Sequence, residues 1–240
     1  MSPLRLSAIT RLSFSDYRCI LCQTSCRQEP SLCSGCMTIL PWLNPEVCLR
    51  CGSLHGNPCP RCAAHIEPFN DRLAVFEYAF PLDALLKKFK YQEKRAIGRS
   101  LGQLLGHAAK SCGLAESIDC LLPVPLAVPR RRARGFNQAA DLAEACSEVL
   151  KVPWTEQWLK RQADTPKLSG LNPVERRFAL LGAFAASSAV AGKHIVLIDD
   201  VMTSGATCLE LHRELMDRGA RAVSVWTVAR TVQPEDTEEG

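Results

Sequence analysis

Residues 195–207, Ile-Val-Leu-Ile-Asp-Asp-Val-Met-Thr-Ser-Gly-Ala-Thr, constrain the fold more than any other stretch. Ile195, Val196, Leu197 and Ile198 form a short unbroken apolar run, three of them β-branched. A strand buried on both faces requires such a run, and that burial is the mark of a parallel sheet flanked by helices. The carboxylates of Asp199 and Asp200 stand where this strand is expected to end. A loop of small hydroxylated residues follows, then a helical pattern with Leu209, Leu211, Leu215 and Met216 on one broad face.

Ligands of open parallel sheets bind at the carboxyl ends of the strands. The start of a helix leaves N–H groups unpaired and carries partial positive charge, so it suits an anion. Gly205 allows close backbone approach, and Thr203, Ser204 and Thr207 add hydroxyl donors. The loop can therefore hold a phosphate monoester without a lysine. The two aspartates would repel that phosphate, so they are expected to face sugar hydroxyls or a divalent cation. A plain strand-to-helix turn capped by Asp200 or Thr203 would account for part of the pattern. Neither G-x-x-x-x-G-K-[ST] nor G-x-G-x-x-G occurs in the chain.

The full order, apolar strand, Asp-Asp, two residues, Thr-Ser-Gly-x-Thr, resembles the phosphoribosyl pyrophosphate (PRPP) signature of type I phosphoribosyltransferases. The resemblance implies a PRPP-binding segment made of Asp199, Asp200, Val201, Met202, Thr203, Ser204, Gly205, Ala206 and Thr207. In it the acid pair meets the ribose hydroxyls, with magnesium accompanying PRPP, and the loop holds the 5′-phosphate.

The chain has 240 residues, 47% of them hydrophobic, enough for one α/β domain and a small appendage. Its formal net charge of +4 is mild, so the basic residues matter by where they cluster. Residues 1–18 contain Arg5, Arg11 and Asp16 and no unbroken apolar run, unlike a signal peptide. No stretch is long and apolar enough to span a membrane. A cytoplasmic, reducing location is expected, where paired cysteines bind metal more often than each other.

Nine of the thirteen cysteines fall in residues 19–62, and eight of these form CxxC pairs: Cys19/Cys22, Cys33/Cys36, Cys48/Cys51 and Cys59/Cys62. Cys26 stands outside the pattern. Two cysteines three apart on a tight turn reach one zinc ion, and two such turns complete a tetrahedral site. Two structural zinc ions are therefore expected. Sequential pairing is simplest, and interleaved pairing fits the spacing too. Large apolar residues are few here beyond Leu40, Trp42 and Leu43, so metal must stand in for a core. A redox CxxC would need a βαβ context, which is absent. His55 and His65 are expected at the surface.

The remaining chain reads as α/β. Leu73 to Tyr78 suggests a strand, Leu82 to Lys90 a helix ending in lysines, and Gly98 to Ala109 a second helix with Leu101, Leu104, Leu105 and Ala108 inward. The lysines favour a helix end, and contact with ligand or nucleic acid is the other reading. Cys112, Cys120, Cys146 and Cys208 read as small buried hydrophobes. A strand over Ile118 to Val124 runs into prolines and then into Arg130, Arg131, Arg132 and Arg134. A loop is expected there, at another strand's carboxyl end, with Gly135 or Asn137 before the next helix. Arginine is the planar, always-charged partner of phosphate. These four are candidates for pyrophosphate or nucleic-acid contact. Trp154 and Trp158 are read as core rather than as base-stacking platforms. Ala220 to Ala229 reads as a last strand, and residues 233–240 as an acidic tail.

The proline-rich strand end, Arg-Gly-Phe-Asn-Gln at 134–138, the PRPP signature and the CxxC pairs in front of them together resemble the ComF/GntX family. The resemblance runs from about Cys19 to Thr231. It implies a type I phosphoribosyltransferase-like α/β fold with a mostly parallel sheet over residues 67–232. A double zinc ribbon would occupy residues 1–66. It also implies a part in natural transformation, with single-stranded DNA and the DNA-uptake machinery as partners. Residues 165–181 correspond to a flap in that family but depart from its usual residues, with Lys167, Phe178 and Ala179 in place of Gln, Arg and Asn. An active phosphoribosyltransferase of nucleotide salvage is the alternative function. Metal analysis of protein prepared without chelator is expected to find about two equivalents of zinc per chain. A value near zero, with disulfides in their place, would contradict the ribbon.

Overall fold

Alternation along the apolar run sets the layers. Ile195 and Leu197 enter one hydrophobic core, Val196 and Ile198 another, and all four are fully buried. The computed structural model describes residues 17–26, 29–43, 69–92, 94–162, 175 and 179–231. Cys48, Cys51, Cys59, Cys62, His55, His65, the expected boundary near residue 67, most of the 165–181 segment and the acidic tail lie outside them.

The elements in chain order are β1 (Tyr17–Arg18), β2 (Ser25–Cys26), α1 (Ser34–Ile39), β3 (Arg72–Glu77), α2 (Leu82–Tyr91), α3 (Arg95–Ser111) and β4 (Cys120–Pro123). Then come α4 (Val128–Arg134), α5 (Gln138–Leu150), β5 (Leu159–Arg161), β6 (Phe184–Ala186), β7 (His194–Met202), α6 (Ala206–Asp217) and β8 (Ala222–Arg230). The central sheet has the order β3-β8-β7-β4 with every pair parallel. Buried residues of α2, α3 and α5 cover one face with Val196 and Ile198. The other face, with Ile195 and Leu197, is covered by α6 and by the antiparallel pair β5–β6.

Helices α3 and α5 approach closely because glycines face the contact. A Cβ placed on Gly102 would lie 2.6 Å from the Leu142 carbonyl oxygen and 2.8 Å from the Ala145 Cβ. Gly106, one turn on, meets Val149 of α5 in the same way, and Gly98, one turn back, meets the Phe89 ring of α2.

Both sheet edges are paired, as an exposed edge invites aggregation. Beside β3, Leu43 N–H donates to the Val75 carbonyl at 3.0 Å and Glu77 N–H to the Pro41 carbonyl at 2.8 Å. Beside β4, Leu121 N–H donates to the Pro153 carbonyl at 2.9 Å. The described cysteine-bearing segment thus leans on the larger domain. Its Ile20, Leu32 and Leu40 share a core with Phe76, Leu101 and Leu105. Trp42 stacks at a tilt on Phe76 with ring centroids 4.6 Å apart. Arg99 pairs with Glu29 at 2.8 Å.

Several expectations are corrected. Cys112 is exposed rather than buried, since it follows the last turn of α3 and faces away from the core. Met216 is 40% exposed, one position past Leu215, which takes the inward place. The strand of the acid pair runs on to Met202. No helix among the described residues is long and apolar enough to cross a membrane.

Gly102→Ala gains about 1 kcal/mol of helix propensity but forces α3 and α5 apart, an overpacking cost of about 1–3 kcal/mol. A net loss is expected, with the thermal midpoint lower by about 2–4 °C per kcal/mol. An unchanged or raised midpoint would show that the seam yields freely.

Candidate functional site

The acid pair lies where β7 loses one neighbour and keeps the other. Pairing with β4 stops at Pro123↔Ile198. Pairing with β8 continues through Asp199↔Thr227 to Met202↔Arg230. Val124 N–H still donates to the Ile198 carbonyl at 2.9 Å, and beyond it the chain leaves the sheet through Pro125 toward α4 (Val128–Arg134), so the sheet opens at that level. A cleft of about 520 Å³ occupies the opening, a size that holds small-molecule ligands. Asp199, Asp200, Val201, Thr203 and Thr207 line one side. Val124, Pro125, Arg130, Arg134, Asn137 and Gln138 line the other, with Tyr78, Lys90 and Arg161.

Gly205 caps α6 with φ at 70°, the left-handed region that a side chain rarely adopts. That turn ends the strand and aims the first amides of α6 toward the loop. Thr203 and Thr207 reach the cleft wall. Met202, Ser204, Gly205 and Ala206 are not among the residues that line it.

The arginine cluster is a helix rather than a loop. Pro129 sits in the first turn of α4, where a missing N–H costs nothing. Gly135, with φ at 76°, closes α4. Asn137 then caps α5, its side chain accepting from Ala139 N–H at 3.2 Å. The helix separates the four arginines. Arg130 and Arg134 line the cleft, whereas Arg131 pairs with Glu156 at 3.3 Å. Arg132 is exposed and away from the cleft wall. Arg134 donates to the Gln138 side-chain oxygen at 2.9 Å and lies 5.3 Å from the Tyr91 ring centroid. Gln138 is buried, and its Nε2 donor has no hydrogen-bond partner among the described residues. A buried donor of that kind costs free energy until an acceptor arrives.

Lys90 is the site residue with no local sequence signal beyond a basic helix end. Its Nζ lies 2.5 Å from Asp200 Oδ2. Asp200 N–H donates to Asp199 Oδ1 at 2.8 Å. Burial first, then the charge of Asp200, push the Asp199 carboxyl well above the ordinary carboxylate range, with Lys90 pulling partly back. Magnesium demands near-octahedral oxygen ligands at about 2.0–2.1 Å. With Lys90 on Asp200 and an amide on Asp199, the pair does not fit magnesium as a resident ion. Tyr78 and Arg161 also line the cleft and carry no motif in the sequence.

The first two CxxC pairs come together. The sulfurs of Cys19, Cys22, Cys33 and Cys36 lie within 4.8 Å of one another, and Cys22 and Cys33 are 3.6 Å apart. Sulfurs on one tetrahedral zinc stand about 3.8 Å apart, so the four fit a metal such as zinc. β1 and β2 present the first pair on a knuckle, closed by Cys19 N–H donating to Thr24 O at 2.8 Å. Cys33 caps α1, and Cys36 lies within it. The Thr24 hydroxyl foremost lowers the Cys22 thiol to about 6, favouring the thiolate that a metal needs. Cys26 turns toward the Thr24 carbonyl at 3.6 Å and stays outside the set. Trp154 and Trp158 are half-buried, each packed against one of the two cores.

The DNA utilization protein YhgH of Escherichia coli K12 is 32% identical over 218 residues, covering 89% of this chain and 90% of that protein. Competence protein F of Haemophilus influenzae is 30% identical over 230 residues, covering 91% and 99%. Among solved structures, the glutamine PRPP amidotransferase of B. subtilis complexed with ADP and GMP aligns with TM-score 0.38 and 20% identity. It covers 54% of this chain and 25% of that one. No family model matches.

The raised Asp199 carboxyl sets a pH dependence. Its bound proton favours the folded state fully below the ordinary value of 3.8, and that contribution is lost as pH rises through the raised value. Asp199→Asn removes the charge and keeps the oxygen acceptor. It is expected to match the wild type in denaturant melts at ~pH 4 and to be more stable at ~pH 9. A stability difference that does not change with pH would contradict the raised value.

Proposed function

We infer function from one premise: this chain belongs to the ComF/GntX family of competence and DNA-utilisation proteins. On that basis it is a PRPP-binding protein of phosphoribosyltransferase-like fold that acts in DNA uptake and use, handling single-stranded DNA. The observation that carries the reading is one cleft lined by the acid pair, the hydroxyl loop, Arg130 and Arg134.

Each group has a chemical part in it. The N–H groups at the start of α6 and the hydroxyls of Thr203, Ser204 and Thr207 hold the 5′-phosphate. Asp199 and Asp200 accept hydrogen bonds from ribose hydroxyls. Arg130, Arg134 and the Gln138 amide face the pyrophosphate. Magnesium arrives on that pyrophosphate and is not held by the protein alone. Two zinc ions complete the molecule, one on Cys19, Cys22, Cys33 and Cys36, the other on Cys48, Cys51, Cys59 and Cys62. Both are structural, because four protein ligands leave no open position. The chain divides into a ribbon over 1–66, the PRPP domain over 67–232 and a tail over 233–240.

Single-stranded DNA runs along α4. Arg131 and Arg132 face outward there, and Tyr91 at the cleft rim is 72% exposed beneath Arg134. Arginine contacts the backbone phosphates and an exposed ring stacks a base. The DNA-uptake machinery supplies the strand.

Calorimetric titration with PRPP tests the cleft. Asp200→Asn is expected to weaken binding about tenfold. Gly205→Val is expected to do worse, since it strains the left-handed turn and fills the phosphate's place. Equal affinity in all three proteins would remove the ligand from this loop. For DNA, replacing Arg131 and Arg132 by alanine is expected to flatten the log–log salt slope by about 0.7 for each phosphate no longer neutralised. An unchanged slope puts the strand elsewhere.

A further inference from the structure

We propose that Lys90 is the built-in counter-ion of the acid pair, so that this cleft takes a ribose 5-phosphate unit without any divalent cation. The inference rests on the reading of the cleft as a ribose-phosphate site and says what that site requires.

Two adjacent carboxylates at a sugar-phosphate site face a problem of charge. The ligand is an anion, and unscreened carboxylates repel it. A divalent cation between them is the usual chemical remedy, but here the place is taken. Lys90 lies near the end of α2, on the helix that leads away from β3, and its side chain reaches across the cleft mouth to Asp200 Oδ2 at 2.5 Å. Both partners are largely buried, with side chains 20% and 14% exposed. At that depth an ion pair is screened little by salt, and removing one partner leaves an uncompensated charge. Lys90 is also a wall residue of the cleft, together with Asp199, Asp200, Thr203 and Thr207.

Lys90 therefore does three things at once. It cancels one negative charge next to the incoming phosphate. It sets its charge against Asp200 Oδ2, an oxygen with no hydrogen-bond partner among the described residues, leaving the other oxygen for a ribose hydroxyl. It occupies the position from which an inner-sphere cation would bind. Its neighbour Lys87 does none of these, since it pairs with Asp83 at 2.8 Å on the same helix.

Ribose 5-phosphate is the probe, since it lacks the pyrophosphate that chelates magnesium in PRPP. Titration calorimetry on the full chain is run in EDTA and in magnesium at equal ionic strength. The wild type is expected to bind equally in both, within about twofold. Lys90→Met is expected to bind about tenfold or more weakly in EDTA and to recover part of that loss on addition of magnesium. Lys90→Arg keeps the charge and is expected to stay indifferent to magnesium, which separates lost charge from lost folding. Wild-type binding that strengthens about tenfold with magnesium overturns the proposal while leaving the ribose-phosphate site in place. So does a Lys90→Met protein that behaves as the wild type does. Absence of binding by every protein in both buffers overturns the site itself, and the proposal with it.

Discussion

The cleft exists because β7 stays paired with β8 beyond the end of β4. Eight registered pairs hold β7 against β8, from His194↔Ala222 to Met202↔Arg230. On its other side β7 is paired only as far as Ile198. Four fully buried apolar residues anchor the strand in both cores. The next two positions project into a gap that the backbone ladder of one neighbour keeps rigid. A carboxylate pair placed there is both fixed and accessible, as a binding site requires. The other walls of the cleft, from the turn at Gly205 to the helix that begins after Asn137, are hung from the two strands bordering that gap.

The cysteine-bearing segment contributes to that frame rather than merely preceding it. It covers the open edge of β3 and buries Leu40 and Ile20 in the core shared with α3. A small cysteine-bearing segment gains a hydrophobic anchor in this way, since its own apolar content is slight. The sheet gains a paired edge. The described cysteine segment closes the β3 edge of the sheet, and the cleft opens toward β4, the strand at the opposite edge.

Much of this is legible in the chain itself. The apolar run declares a strand covered on both faces, because no half-exposed strand would carry Ile195, Val196, Leu197 and Ile198 in a row. The spacing of Cys19, Cys22, Cys33 and Cys36 declares a four-sulfur cluster that fits a metal, because thiolates at those intervals converge on turns. Gly135 and Asn137 read as helix boundaries from local backbone chemistry alone. What stays hidden depends on tertiary placement. The prolines near Arg130 read as a loop because proline interrupts most helices, yet one in the first turn is compatible with the helix that forms. Cys112 turns outward because it lies just past the end of α3, and Met216 because α6 gives its inward place to Leu215. Lys90 reaches Asp200 from a different element far away in sequence, and no local pattern encodes that meeting. Tyr78 and Arg161 join the cleft in the same way.

The proposed chemistry stands or falls on whether the turn from Thr203 to Thr207 holds the 5′-phosphate of a ribose. Backbone amide resonances, followed by NMR as PRPP is added, report on it most directly. The largest shifts are expected at the amides of Ser204, Gly205, Ala206 and Thr207, because those N–H groups donate to the phosphate oxygens. Shifts confined to Arg130–Arg134, with residues 203–207 unmoved, would contradict it.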